Sequence, residues 1–539
     1  MTERARPRPV PALYAGIVLA AAQIGFYLQM IAPFISFPAD LLMWGETDFT
    51  GNIIRLRSGQ PLYSPVSDLN SSTYPPLASI VTYGVTKVLQ LPASVPTLRL
   101  IQMSYVVLTV ALGLVSWRML RRLLIPNASH DRVRVWSVLV ALTLFLVATA
   151  PGTGQWVHAL HTDAVVLLWS TGTFLALIWY LSRPSLARLV VLAVAPAIGF
   201  AIKQYTLIWA PIIFFTLLID DHRKFSRLVQ LVAFTTAFTG LGVLIAYLFW
   251  GPDYIFWVFQ VVGGDRSRLG LSAGGFELSL PRATDHLLRS WPLSLGFIGG
   301  WLLLTRFPSR RAAALWTPWL LLLTAEALTS GTGWDARYHF GPGAVVGAIW
   351  LFTVLPEAWP ETSTSVRMIP VVRSAWSLAG LTAMFLALGT VPSGEASDER
   401  YWNQSPFPRA YTEAIEAEFQ GYDPADVLMD WGNWTYLPTN HLALDRAVAM
   451  FELPTAGRYD LLEPLLHRIR SRRYKKVIVH RYHAGSFTYD WSLLDRPTGI
   501  RTALQENYEE VRTIEGLSAR PGPLIQYRGP VSVLVPKRD

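Results

Sequence analysis

The run "LARLVVLAVAPAIGFAIKQYTLIWAPIIFFTLLI", residues 186–219, decides how this chain folds. A helix needs ~20 apolar residues to cross a hydrocarbon core. The run is too long for one crossing and barely enough for two. Pro196 and Pro211 interrupt it, and Lys203, Gln204 and Tyr205 sit at its middle. A proline removes a helix hydrogen bond and clashes with the preceding turn, and bare polar backbone is tolerated at membrane depth only inside protein or a cavity. The pattern therefore predicts two short spans, 187–202 and 205–219, joined by a polar turn.

Composition extends this reading to the whole chain. Hydrophobic residues are 52% of 539 and charged residues 15%, with a mean hydropathy of +0.32. A soluble protein carries about a quarter charged residues, so the chain reads as an α-helical polytopic membrane protein. Further spans are expected at 11–36, 98–117, 134–150, 162–182, 228–250, 287–305, 312–328, 339–355 and 371–391, giving about 11. The N-terminal apolar stretch is too long for a signal peptide and lacks a small-residue cleavage site, so it reads as an uncleaved first span. There is no cysteine, which excludes disulfides, thiolate nucleophiles and Cys-ligated metals. The net charge of +9 is assigned to cytoplasmic loops and not to a nucleic-acid partner.

The segment "YPPLASIVTYGVTKVLQL", 74–91, is short and follows Tyr74 with two prolines. If it crosses, every later basic loop moves outside. If it lies in the interface or re-enters, the basic clusters share one side with the N-terminus. Those clusters are Arg4/Arg6/Arg8, Arg118/Arg121/Arg122/Arg132/Arg134, Arg183/Arg188, His222/Arg223/Lys224/Arg227, Arg306/Arg310/Arg311 and Arg367/Arg373. The positive-inside rule selects the second arrangement, with the N-terminus cytoplasmic. The outer face then collects the 37–97 loop with Glu46 and Asp48, "PGTGQWVHALHTD" (151–163), the Lys203 turn, 251–286, and "TSGTGWDARYHF" (329–340). Beyond residue 391 the hydropathy collapses. Residues 392–539 read as an extracytoplasmic α/β domain, with strands in "DVLMDW", "KKVIVHRY" and "VSVLVPK" and a helix in "RYDLLEPLLHRIRSRRY". Residues 1–391 form the membrane module.

Polar residues gathered at one membrane face are expensive and mark function. An outward site has no nucleotide sugar to draw on, so glycosyl transfer there needs a donor delivered by the membrane, such as a polyprenyl-phosphate sugar. A carboxylate must take the acceptor proton, and cations must neutralise the phosphate that leaves. Asp48 and Glu46 are the candidate bases. Lys203, Arg266, Arg268 and Arg337 are the candidate phosphate partners. No Ser-His-Asp order, phosphate-binding P-loop or H-E-x-x-H occurs.

The order "ETDF…SGQPLYSP…TYPPL", "HTDA", "IKQYTLIWAP", "ARYHFGPG" resembles the GT-C superfamily of polytopic glycosyltransferases over about 20–350, closest to family 39 and family 87-like members. The resemblance implies a multi-pass membrane enzyme that moves mannose, arabinose or a similar sugar from a polyprenyl-phosphate donor to a glycan, lipid or protein acceptor of the cell envelope. It puts Asp48 in the role of the acid of the first outer loop, with Glu46 beside it. Tyr74 falls in the family's Y-P-P-L segment, His161 and Asp163 in its H-x-D-A, and Lys203 and Gln204 in its Lys-Gln. Tyr338, next to Arg337, joins Tyr74, His161, Asp163 and Gln204 as site-lining. Family 39 mannosyltransferases often carry an adjacent Asp-Glu pair, whereas here Thr47 separates the two acids, which leaves the base open between them. No obligatory metal is expected, since a lysine and arginines supply positive charge; two close acids are nonetheless compatible with a divalent cation. A lipid or saccharide transporter would call for broken helices and inverted repeats. One broken pair and no repeat are present. A non-catalytic envelope-assembly protein is the third alternative.

Overall fold

The computed structural model describes residues 11–36, 46–65, 71–125, 130–150, 157–220, 225–261, 271–272, 275–276, 294–306, 309–330, 341–358, 409–429, 459–480, 499–514 and 531–538. The helices of the apolar part are α1 (Pro11–Ser36), α2 (Glu46–Ser58), α3 (Leu77–Val88), α4 (Val95–Leu124), α5 (His130–Thr149), α6 (Asp163–Ser182), α7 (Leu186–Ile202), α8 (Trp209–Asp220), α9 (Phe225–Ile255), α10 (Ser294–Arg306), α11 (Arg310–Ser330) and α12 (Gly341–Ala358). The 186–219 run divides as its prolines and polar centre dictate. α7 ends at Ile202, Lys203 is extended, and a 3-10 turn over Gln204–Ile208 leads into α8. The expected span 371–391 lies outside the described residues.

Three described helices are long and apolar enough to cross a membrane: Val95–Leu124, Asp163–Ser182 and Phe225–Gln260. Shorter apolar helices are Leu13–Gln29, Leu77–Val88, Val133–Thr149, Leu186–Ile202, Gln204–Asp220 and Gly341–Pro356. α3, with 12 residues, is about 18 Å long, well short of a ~30 Å core. Helix burial is uneven. The most apolar stretch of α6 is 67% buried inside the protein, that of α9 17%. Val232, Leu244, Leu248 and Phe249 of α9 are exposed, as are Val18 and Phe26 of α1 and Leu100 and Val107 of α4. A monomer in water rarely shows such contiguous apolar surface; a bilayer covers it.

Interior packing relies on small residues and indole bonds. A Cβ at Gly299 of α10 would lie 2.5 Å from the Leu351 nitrogen of α12, and one at Gly347 of α12 would lie 2.7 Å from the Gly296 nitrogen. The two backbones touch only because neither position carries a side chain. The Trp117 indole N–H donates to the Phe352 carbonyl (2.7 Å) and that of Trp350 to the Leu315 carbonyl (3.1 Å), tying α4 and α11 to α12. Trp117, Trp319 and Trp350 are buried in the core.

Two segments differ from the sequence reading. The 37–97 region, read as a loop, contains α2 and α3, so Glu46 and Asp48 lie in the first turn of a helix. Helix α2 is too polar to stand out by hydropathy; residues such as Phe49, Ile53 and Ile54 bury one face of it. In the C-terminal part, strands β3 (Val427–Met429), β4 (Lys476–His480), β5 (Tyr508–Ile514) and β6 (Val531–Pro536) follow a two-residue hairpin, β1 (Leu271–Ser272) and β2 (Gly275–Phe276). Their order is β3-β4-β6-β5, with β3 parallel to β4 and the other pairs antiparallel. Short helices α13 (Arg409–Ala417), α14 (Glu463–Arg470) and α15 (Ile500–Asn507) accompany the sheet. Strand β5 and helices α13 and α15 are additions to the expected elements.

Candidate functional site

The break between α7 and α8 is built for close approach. The Lys203 N–H bonds the Gly199 carbonyl (3.0 Å), and the Lys203 carbonyl accepts from the Thr206 N–H (3.0 Å) and hydroxyl (2.9 Å). A Cβ at Gly199 would meet Thr206 Oγ1 at 2.6 Å, so this tight turn needs glycine there. The turn aims the Lys203 side chain inward, where it is 3% exposed.

Asp163 meets it. As the first residue of α6, Asp163 complements the positive end of the helix dipole. Its Oδ1 accepts from Lys203 Nζ at 3.1 Å. Its Oδ2 lies 3.0 Å from His161 Nδ1, within ion-pair distance though not aligned as a hydrogen bond. Asp163 and His161 are 6% and 5% exposed. The rings of Tyr74 and Tyr205 flank the ammonium with centroids at 5.5 and 5.4 Å, within cation–π reach. Lys203 is thus no isolated charge placed to snorkel. It is the centre of a buried assembly drawn from the Tyr74 loop, the start of α6 and the α7–α8 break.

Gln204 lies beside it. Its Nε2 donates to the Thr73 carbonyl at 2.8 Å and reaches the Val258 carbonyl at 3.5 Å, in the π-turn Phe256–Val261 that continues α9. The Tyr74 carbonyl accepts from the Tyr63 hydroxyl (2.8 Å). Five of the expected site residues (Tyr74, His161, Asp163, Lys203 and Gln204) therefore come together. Glu46 and Asp48 are placed by their backbone at the start of α2. Arg266, Arg268, Arg337 and Tyr338 lie outside the described residues.

Two residues escaped the sequence reading. Arg99 on α4 is fully buried, and His158, in the loop before α6, is 8% exposed. Burial, and then the charge of Arg99, push the His158 imidazole down to about 4, so it is neutral at pH 7. An arginine near the end of an apolar span was the available signal. The side chains of Glu46 and Asp48, the two acids read as compatible with a divalent cation, lie outside the described residues. Among the described residues no three His, Asp or Glu gather into a metal site.

The opposite end of the same helices is basic. Arg188, at the start of α7, donates to the Trp179 carbonyl (2.7 Å) and Ser182 Oγ (3.2 Å) at the end of α6, and its guanidinium covers the Trp179 ring. Arg227, near the start of α9, donates to the Tyr180 hydroxyl (3.3 Å). Helix α6, with 20 residues, separates this end from Asp163 by about 30 Å.

No protein-family model and no curated protein matches the chain. Solved structures do. The oligosaccharyltransferase AglB from Archaeoglobus fulgidus, in complex with an inhibitory peptide and a dolichol-phosphate, is 13% identical, with 94% of this chain and 80% of that chain covered and a TM-score of 0.50. ArnT from Cupriavidus metallidurans, bound to undecaprenyl phosphate, is 14% identical, with coverages of 85% and 80% and a TM-score of 0.46. The likeness to the first shows that this chain shares its fold.

Proposed function

We propose that the chain transfers a sugar (mannose, arabinose or similar) from a polyprenyl-phosphate carrier to a glycan, lipid or protein acceptor at the outer face of the cytoplasmic membrane. The carrying observation is the buried Lys203 ammonium at a helix break, opposite the basic end of the same helices. The basic end suits the cytoplasm. The Lys203 end then faces outward at the depth of a lipid phosphate. With α3 too short to cross, residues 392–539 stand outside with it.

In this reading the acceptor hydroxyl oxygen attacks the anomeric carbon while Asp48 takes its proton, with Glu46 in support. The bond from the anomeric carbon to the phosphate oxygen breaks, and the lipid phosphate leaves with the bonding pair. Lys203 neutralises that charge, with Arg337, Arg266 and Arg268 as further cations. An ammonium has three donors, so it can serve Asp163 and a phosphate oxygen together. Asp163 and His161 hold the lysine in place, and Tyr74, Gln204 and Tyr338 line the site. A divalent cation is not required by this set.

The test offers purified protein a panel of polyprenyl-phosphate sugars and follows release of lipid phosphate. Release with one or more donors, dependent on an acceptor, is expected. No release from any donor overturns the reading.

A further inference from the structure

The loop 71–74 has no regular secondary structure, yet Ser71 and Thr73 are fully buried. Its backbone groups therefore need side-chain partners. Bonds reach the loop on two sides, at the Ser71 hydroxyl and at the Thr73 and Tyr74 carbonyls. On the α2 side, Arg55 donates to the Pro61 carbonyl (2.8 Å) and to Ser64 Oγ (3.3 Å), and the Ser64 N–H bonds Ser71 Oγ (2.7 Å). The Tyr63 hydroxyl then holds the Tyr74 carbonyl. On the other side stands Gln204, whose amide bonds the Thr73 carbonyl and extends to Val258. A continuous path of bonds thus runs from the helix that begins with Glu46 and Asp48 to the residue after Lys203. Gln204 is its last link.

We infer that Gln204 is a positioning residue, whose amide sets the 71–74 loop, and through it α2 with its acids, at a fixed separation from the Lys203 ammonium. This rests on the glycosyl-transfer reading. Transfer demands that base and phosphate partner straddle one anomeric centre, and small displacements of aligned groups are costly. Both acceptors of Gln204 are carbonyl oxygens, so the N–H donor is what matters. A group that touched the donor lipid would set KM; one that aligns two halves of the site sets kcat.

The test replaces Gln204 in the full chain by Met, which keeps the volume and removes the donor, and by Lys, which restores an N–H donor of similar reach. Gln204→Met should lower kcat about tenfold, leaving donor KM within about twofold, and Gln204→Lys should recover most of the loss. Independently of any substrate, backbone amides of 71–74 should exchange hydrogen faster in Gln204→Met, with those of α6 unchanged. If the Met variant does not accumulate, Gln204→Asn, too short to reach Thr73, carries the same expectation. A normal kcat, a raised donor KM, or unchanged exchange in 71–74 overturns the inference. If the unmodified protein releases no lipid phosphate from any donor, the functional reading fails, and the exchange result alone decides whether Gln204 holds the loop.

Discussion

The two ends of the α6–α7 pair each hold a cation, and they hold it in opposite ways. Arg188 sits at a partly exposed helix start, bonded to a carbonyl and a hydroxyl and laid over Trp179. It finds no carboxylate there among the described contacts, and it needs none, because headgroups and water solvate it. Lys203, about 23 Å away along α7, is buried against Asp163, His161 and two tyrosine rings. Burying a charge and its counter-ion is costly, and an apolar pair of the same volume is often as stable. A chain that anchors itself with the first arrangement has no structural need of the second. The difference separates a charge that fixes a helix in the membrane from one kept for a ligand.

The largest effect should come at the proposed base. Asp48→Asn should lower turnover ~10²–10⁴-fold, the usual contribution of a general base, and Glu46→Gln should cost less. Near-normal turnover in Asp48→Asn would pass the role to Glu46. Next is Lys203→Ala, which leaves a buried carboxylate beside His161 alone. Loss of about 3–5 kcal/mol of stability is expected, seen as a lower melting temperature in detergent. The double variant Lys203→Ala/Asp163→Ala should regain most of that stability without regaining donor use. If the single variant melts normally, the pairing is not what holds this end together.

A third effect follows from His158. Its folded-state value of about 4 lies below the ordinary 6.5, so between these values the unfolded chain binds the extra proton. Stability should be fully present above pH ~6.5 and fall as pH drops toward 4, by up to about 3 kcal/mol. His158→Gln should flatten that slope, and an unchanged slope would place the acid sensitivity elsewhere. The smallest effect belongs to the basic end. Arg188→Ala should cost under about 1 kcal/mol and leave turnover unaltered. A large loss of turnover there would erase the contrast between the two ends.

Legibility in the sequence followed the strength of each physical signal. Hydropathy located α6 at 163–182 against an expected 162–182, and the KQY break fell where two prolines and a lysine forced it. Helix α2 was invisible because its buried face is short and its other face polar. Strand β5, "YEEVRTI", exposes most of its residues at the sheet edge, so no period-2 apolar pattern marks it. At the site, residue types and order brought Lys203, Gln204, His161, Asp163 and Tyr74 to notice. The Lys203–Asp163 bond was not readable, since 40 residues separate the two and only the packing of α7 on α6 joins them. Arg99 and His158 went unread because each looked like one polar residue at the end of a span.

The central claim, that the buried lysine receives the donor phosphate, is tested most directly by the donor KM of Lys203→Gln, measured on folded protein with the polyprenyl-phosphate sugar that the unmodified enzyme uses. Removing a charge-assisted bond worth about 1.5–3 kcal/mol should raise KM roughly 10–100-fold, with Lys203→Arg keeping part of the affinity. An unchanged donor KM and turnover in a normally folded Lys203→Gln protein would contradict it.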